Sequence, residues 1–267
     1  GEGEKVNVVQ CYSDYEEAYY VVNRIIGLKS RQGCSYSDFA ILYRTNAQSR
    51  IIEEALNRGG KRNDHGNRGY SIPYKIYGGL SFFQRKEVKD AVSYFRLTVN
   101  PDDDEALRRI INYPSRGIGD VTVTKVQKCA LAHEVSMWQV ICDPVKYGLN
   151  ANAGTLRKLS SFRELMTTFI EQNAKGVNAY ELAKLIVERS KLISVLIGDN
   201  TPENISRQEN LNELVNSISE FVQGHEEEGD TEVALVDFLA EVSLLSDIDQ
   251  SDNSGDCVTL MTVHASK

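Results

Sequence analysis

The sequence predicts an α/β protein with a parallel sheet and an all-helical insertion. Three observations carry that prediction. Phe39 to Leu42 is an apolar run with the length and composition of a buried parallel strand, and a polar turn and a helical repeat follow it at once. From about residue 150 onward the apolar spacing is helical almost throughout. Val258 to Val263 is then a β-type run with nothing to pair with among helices, so it is expected to return to the sheet of the first half.

Taken in order, Val6 to Cys11 reads as a first short strand. Ser13-Asp14-Tyr15-Glu16 is a capping box, and Ala18, Val21, Val22, Ile25 and Ile26 give the next helix an apolar face. The second strand, ending at Tyr43 and Arg44, leads into a helix that opens near Gln48 and Ser49 and carries Ile51, Ile52, Ala55 and Leu56. Two βα units in succession favour a parallel sheet. Gly59 to Ser71 is rich in Gly, Asn and charge and reads as a loop. Its Lys61, Arg62, His65 and Arg68 could touch phosphate, but a solvated insertion is the simpler reading. Pro73 to Tyr77 is a third strand, closed by Gly78-Gly79. A helix starting from Phe82-Phe83 buries Val88, Ala91, Val92, Phe95 and Leu97. Asn100 to Asp104 is a turn and helix start with acids at the positive end of the dipole, and Leu107, Ile110 and Ile111 are the core side of that helix.

Asn150 to Gly154 reads as a linker. Helices are expected over Leu156–Gln172, Ala179–Val195, Ser206–Gln223 and Leu235–Leu245, separated by Pro202 and by loops at 224–230 and 251–256. The resulting organisation is residues 1–150, a helical insertion over 151–255, and a return strand in 256–267. A strand followed at once by the last residue also suggests a piece of a longer protein.

The 267 residues are 41% hydrophobic and 25% charged, the balance of a soluble globular chain. No apolar run reaches the roughly 20 residues of a membrane span, so no membrane partner is expected. The five cysteines are scattered without a Cys-x-x-Cys, and the four histidines lie far apart, so neither a metal site nor a disulfide framework is indicated. A reducing cytoplasm fits best. The net charge of −8 argues against nucleic acid as a partner, but net charge hides distribution. Acid is concentrated late, and the region from Arg44 to Lys128 is rich in Lys and Arg, so a local basic surface remains open.

Two stretches carry candidate chemistry. Tyr43-Arg44 stands at the carboxyl end of a strand, where open α/β sheets place ligand-binding residues. A planar aromatic beside a guanidinium can meet a base and a phosphate; the alternative is an amphipathic Tyr and a surface Arg. In Ser115-Arg116-Gly117-Ile118-Gly119-Asp120, two glycines let backbone N–H groups approach a phosphate at a helix N-terminus, with charge added by Arg116, Lys125 and Lys128. An ordinary inter-helix turn is the alternative there.

Longer segments resemble a known family. Ala40-Ile41-Leu42-Tyr43-Arg44-Thr45-Asn46-Ala47-Gln48-Ser49-Arg50 with Glu53-Glu54 is similar to motif IV of the UvrD/PcrA/Rep superfamily 1 DNA helicases. Tyr77-Gly78-Gly79, Phe82-Phe83, Arg85 to Asp90, Pro114 to Gly119, Gln208 to Leu214 and Asp237-Phe238-Leu239 follow in the same order and spacing. Val258 to Lys267 resembles the front half of motif V. Several long motifs in order are far more specific than one short pattern. The 59–71 loop is longer than is usual in the family.

The resemblance implies that the sheet is part of the second RecA-like domain (2A) of a P-loop NTPase and the insertion is domain 2B. It implies an ATP-dependent DNA helicase, a 3′ to 5′ motor in repair or replication, acting on single-stranded and junction DNA with ATP and Mg²⁺, and with repair or replication proteins as possible partners. No Gly-x-x-x-x-Gly-Lys-Ser/Thr occurs in the sequence, so this stretch should supply half of an ATP site and hydrolyse nothing alone. Carried over residue by residue, Tyr43 would stack on adenine and Arg44 would reach the γ-phosphate. His264 would contact the single strand, and the Gly117-Ile118-Gly119 element would hold backbone phosphates. Arg163 and the Ser190-Lys191 turn fall where relatives touch duplex DNA, although Lys191 stands where a glycine is common. The competing reading is a non-catalytic DNA- or protein-binding module.

Overall fold

The computed structural model describes residues 5–59, 71–199, 201–230, 232–249 and 255–266. The Lys61, Arg62, His65 and Arg68 stretch lies outside the described residues, as does most of the 251–256 loop. The chain divides into two compact units, residues 1–82 with 245–267, and residues 83–244. That division comes earlier than the change of pattern near residue 150.

The first unit is built on a three-stranded sheet of order β1-β3-β2, from β1 (Ala40–Tyr43), β2 (Tyr74–Ile76) and β3 (Val258–Thr262). β3 is central and runs parallel to both neighbours, pairing Ile41 with Leu260 on one side and Tyr74 with Val258 on the other. The run from the far end of the chain thus joins strands more than 180 residues earlier, because only pairing on both sides satisfies the backbone of an apolar strand. α1 (Asp14–Gln32) and α2 (Ser49–Asn57) supply Ala18, Tyr19, Val22, Ile25, Ile51, Ala55 and Leu56 to one core with Ile41, Tyr43, Tyr74, Val258 and Leu260. Ser13 caps α1 by accepting from the Glu16 N–H at 3.1 Å, while the Glu16 carboxylate accepts from Tyr12 N–H rather than from Ser13, one residue outside the expected box.

Two expectations for this unit fail. Val6 to Cys11 is not a strand; Val6 and Val8 are 90% and 92% exposed, and no described strand lies beside them to pair with. β-propensity alone does not make a strand without a ladder. Nor is β1 buried on both faces. Its burial alternates, with Leu42 48% exposed, because the core helices pack on one face only.

The second unit is helical. It comprises α3 (Lys86–Val99), α4 (Asp104–Ile110), α5 (Asp120–His133), α6 (Met137–Cys142), α7 (Ala153–Ala174), α8 (Ala179–Arg189), α9 (Leu192–Ile197) and α10 (Pro202–Glu227). α11 (Leu235–Asp249) runs across the division between the units. α3 is the hub, touching α4, α7, α8 and α10. Its predicted face is buried apart from the half-buried Val92, and Tyr94 is fully buried beside it. Phe162 and Phe169 of α7 are fully buried too, each worth about 2–3 kcal/mol of apolar transfer.

A buried polar bridge ties α3 to α10. Arg85 donates to Asn210 Oδ1 at 2.9 Å, and the Asn210 amide donates to Glu87 at 2.5 Å. The expected linker at 150–154 is instead a helix start, with Asn152 Oδ1 accepting from the Thr155 N–H at 2.8 Å. The single helix expected over Ala179–Val195 is two, broken at Lys191, whose φ of 65° is left-handed. α10 runs through Gly224 to Glu227 where a loop was expected, since one glycine inside a long helix costs only about 1 kcal/mol.

Candidate nucleotide and nucleic-acid sites

In the first unit the candidate residues stand at the carboxyl ends of the parallel strands. Tyr43 closes β1 and is 6% exposed, its ring part of the core. Arg44 is exposed, and no described group pairs with its guanidinium. The turn that presents it is fixed from behind, because Gln48 Oε1 accepts from the N–H groups of both Arg44 and Thr45 at 3.0 Å. The chain therefore leaves the strand at a fixed angle, with an aromatic turned inward and a cation turned outward. Glu53, one turn along α2, is 5% exposed and accepts from the Phe82 N–H at 3.1 Å, holding the segment after β2. His264 is exposed in the turn that follows β3. Gly78, in the turn after β2, approaches that same turn; a Cβ there would lie 3.6 Å from Ala265 Cβ.

One feature holds each end of the sheet. The Val263 N–H donates to the Tyr43 carbonyl, locking the ends of β1 and β3 together. At the opposite end Asp256 accepts from the Ser37 N–H at 2.8 Å and from Lys29 at 3.2 Å. Backbone N–H donation, first from Ser37 and then from Tyr36, with Lys29 adding its charge, lowers the Asp256 carboxyl to about 2.

In the second unit the Gly-Ile-Gly element is a turn between α4 and α5, as its glycines suggested. Asn112 organises it, with Oδ1 accepting from the N–H groups of Arg116 at 2.9 Å and Ile118 at 3.0 Å. Ile118 is 1% exposed and anchors the turn in the core. Gly117 has φ +68°, a left-handed angle that favours glycine, and a Cβ there would stand 2.8 Å from Lys158 Nζ and push that side chain aside. Lys158, from α7, donates to the Gly117 carbonyl at 2.9 Å. The N–H groups of Gly117, Gly119, Asp120 and Val121 have no partner among the described residues.

Arg116 does not face outward. It donates to the carbonyls of Ile110 and Pro114 at 3.0 and 3.1 Å and to the Tyr94 hydroxyl at 2.6 Å, with its plane near the rings of Tyr94 and Phe162. Burial raises the Tyr94 hydroxyl to about 12, so it remains a donor and passes a 2.6 Å hydrogen bond to the Tyr113 carbonyl. Lys125 is exposed and reaches the Asn150 carbonyl at 3.2 Å; Lys128, one turn on, is exposed without a described partner.

The remaining candidates lie elsewhere in the unit. Arg163 donates to the Cys142 carbonyl at 3.0 Å and to Ser160, capping α6. Ser190 is 2% exposed, its hydroxyl donated to the Val187 carbonyl. Lys191 is exposed at the break between α8 and α9. Asn112 and Lys158 escaped the sequence reading. An Asn five residues before a Gly-x-Gly turn was the one local signal; nothing near Lys158 pointed to the turn. Among the described residues no group of three or more His, Cys, Asp or Glu could hold a metal ion, and no helix is long and apolar enough to cross a membrane.

A parallel sheet with polar residues at its strand ends, interrupted before its last strand by a long helical segment, defines the class as an α/β protein with a helical insertion. More narrowly, the chain belongs to the UvrD-like helicase C-terminal domain family, whose model matches residues 1–267. It is 32% identical over its whole length to the ATP-dependent DNA helicase PcrA of Leuconostoc citreum. It is 35% identical, over 99% of its length, to the PcrA helicases of Staphylococcus aureus and Staphylococcus epidermidis. The chain spans 34% of the length of each of these relatives.

Proposed function

We propose that this chain is the part of an ATP-dependent DNA helicase that completes the ATP site from across a domain cleft and grips DNA by its backbone. In this reading the first unit is a RecA-like domain. Arg44 reaches the terminal phosphate of a nucleotide held chiefly by another domain, and Tyr43 flanks the base. ATP with its Mg²⁺ supplies the phosphoryl group. Arg44 contributes positive charge as negative charge spreads over the transferring phosphoryl, a role worth roughly 10³–10⁵ in rate in comparable enzymes. The unpaired guanidinium on a rigid turn supports this role. The burial of Tyr43 limits its contact with a base to an edge and makes it chiefly the anchor from which Arg44 projects.

On the DNA side, His264 contacts the single strand. The turn at 117–119 takes phosphates of a duplex on its N–H groups, with Lys125 and Lys128 adding charge and Lys191 a more distant contact. Arg116, Arg163 and Ser190 support structure in this reading, because their polar groups already have partners inside the unit. Polarity of 3′ to 5′, junction DNA as substrate, partners in repair or replication and a cytoplasmic location follow from the family resemblance alone.

The observation that carries the DNA side of the proposal is the set of unpartnered N–H groups of Gly117 and Gly119 in the turn and of Asp120 and Val121 at the start of α5, on a turn that Asn112 holds from within. The test is a salt titration of the 267-residue chain against a short labelled duplex. Binding should be sequence-independent and weak, near micromolar, with log affinity falling against log salt at a slope of about −2 to −4. Affinity that ignores salt would refute backbone recognition.

A further inference from the structure

The second unit holds an open cleft of about 520 Å³ lined by residues of α3, α4 and α5 and the turn between the last two. Its walls include Arg96, Arg108 and Arg109, with Asn112, Tyr113 and Asp120 on the side of the Gly-Ile-Gly turn. Two of the guanidiniums are tied down. Arg96 bridges Asp103 at 2.8 Å and Glu105 at 3.1 Å. Arg109 donates to the buried Asp90 at 2.7 Å and to the Lys86 carbonyl at 3.2 Å. Arg108 is exposed and has no partner among the described residues. The cleft thus presents one free guanidinium whose neighbours have their charge largely met by carboxylates. It shares Asn112 and Asp120 with the turn, so a ligand lying on the turn's N–H groups continues into it. Its open, largely polar walls suit a solvated anion rather than an apolar small molecule.

We infer that this cleft is a second phosphate subsite, next to the turn, for the sugar-phosphate backbone of the same bound DNA, and that Arg108 is its ligand. A guanidinium accepts a phosphate in bidentate geometry, and only the unpaired one of the three is available to do so. The two tied arginines fix the walls and spend their charge on Asp90, Asp103 and Glu105, so Arg108 is the cation left to a phosphate in a cleft that Glu105 and Asp120 also line. The inference rests on the proposed DNA reading of the turn and adds a residue that the sequence motifs do not include.

The experiment is the same salt titration of the 267-residue chain against a labelled duplex. Arg108→Ala should reduce the magnitude of the salt slope by about 0.9, the release expected for one lost phosphate contact. Arg108→Glu should lower affinity further, and Arg108→Lys should restore most of the slope. Urea midpoints should not move, since Arg108 makes no described contact. A Gly119→Pro variant removes one turn N–H at a residue whose φ of −77° proline accepts, and it tests the turn itself. Wild-type slope and affinity in both Arg108→Ala and Arg108→Glu overturn the subsite, whatever the turn variant does. Loss of binding in Gly119→Pro with silent Arg108 variants overturns the subsite and leaves the turn reading intact. Wild-type binding by Gly119→Pro overturns the turn reading and the subsite built upon it.

Discussion

Two arginines beside turns, Arg44 in the first unit and Arg116 in the second, are treated in opposite ways. In the first unit, Arg44 and His264 stand exposed at the strand ends with their side chains unpaired among the described residues. In the second, Arg85, Arg96, Arg109, Arg116 and Arg163 all have protein partners, and the groups left unpaired around the turn are mostly backbone N–H. In the proposed reading, the unpaired cation on its fixed turn is half of a site and needs a ligand brought to it. In the same reading, the N–H groups of the second unit's turn, braced by Asn112 and Ile118, are already organised for an anion. The contrast teaches that the same local pattern, Arg beside a turn, leaves a guanidinium open at Arg44 and makes a structural rivet of it at Arg116. Which it is depends on whether the guanidinium finds carbonyls.

That contrast can be broken by mutation. The largest stability effect is expected at the α3–α10 bridge. Asn210→Leu leaves Arg85 and Glu87 without the amide between them and should destabilise the helical unit by about 3 kcal/mol, read as a lowered urea midpoint. A loss below about 0.5 kcal/mol would show that the bridge is dispensable. Next, Asn112→Ala removes the acceptor for two backbone N–H groups and should cost about 2 kcal/mol. It should also weaken duplex binding more than the stability loss explains, measured at a urea concentration where both proteins remain folded. Asn112→Asp keeps the acceptor and should recover most of the stability.

A smaller change is expected at Lys191. Its left-handed φ of 65° costs a non-glycine residue about 1 kcal/mol, so Lys191→Gly should stabilise the unit by roughly 0.5–1 kcal/mol in the same assay. No gain would mean that the side chain repays its strain. The smallest effect concerns the first unit and acid. Asp256, lowered to about 2 in the folded state, lies below its unfolded value of about 3.9. Its stabilisation is complete above about pH 4 and is lost as pH falls towards 2. Asp256→Asn should flatten that part of the acid-unfolding curve followed by tyrosine fluorescence.

The parts of this molecule legible in the sequence are those written locally. The Phe39 to Arg44 run, the glycines at 117 and 119 and the cap at Ser13 each declare themselves within a few residues. What the sequence concealed depends on distant chain segments. Val6 to Cys11 has strand composition, but whether it pairs is decided by a neighbour that composition does not describe. Apolar spacing runs unbroken through Ser190-Lys191, so the helix break left no mark in periodicity; only the family resemblance pointed to a turn there. Arg116 carries a full charge on paper, and only the converging carbonyls of Ile110 and Pro114 and the Tyr94 hydroxyl show where that charge goes. Lys158 meets the turn from 41 residues away. Tyr43 is the subtlest case, since its position in a motif is plain while its burial follows from helices packing on one face of the sheet.

The central claim is that Arg44 completes a nucleotide site it cannot make alone. The direct measurement is DNA-stimulated ATP hydrolysis by a chain spanning the full length of its PcrA relatives, with and without Arg44→Ala. The account predicts a fall of about 10³ or more in the hydrolysis rate, with the affinity for duplex DNA unchanged. Hydrolysis within a few-fold of the parent protein would contradict it.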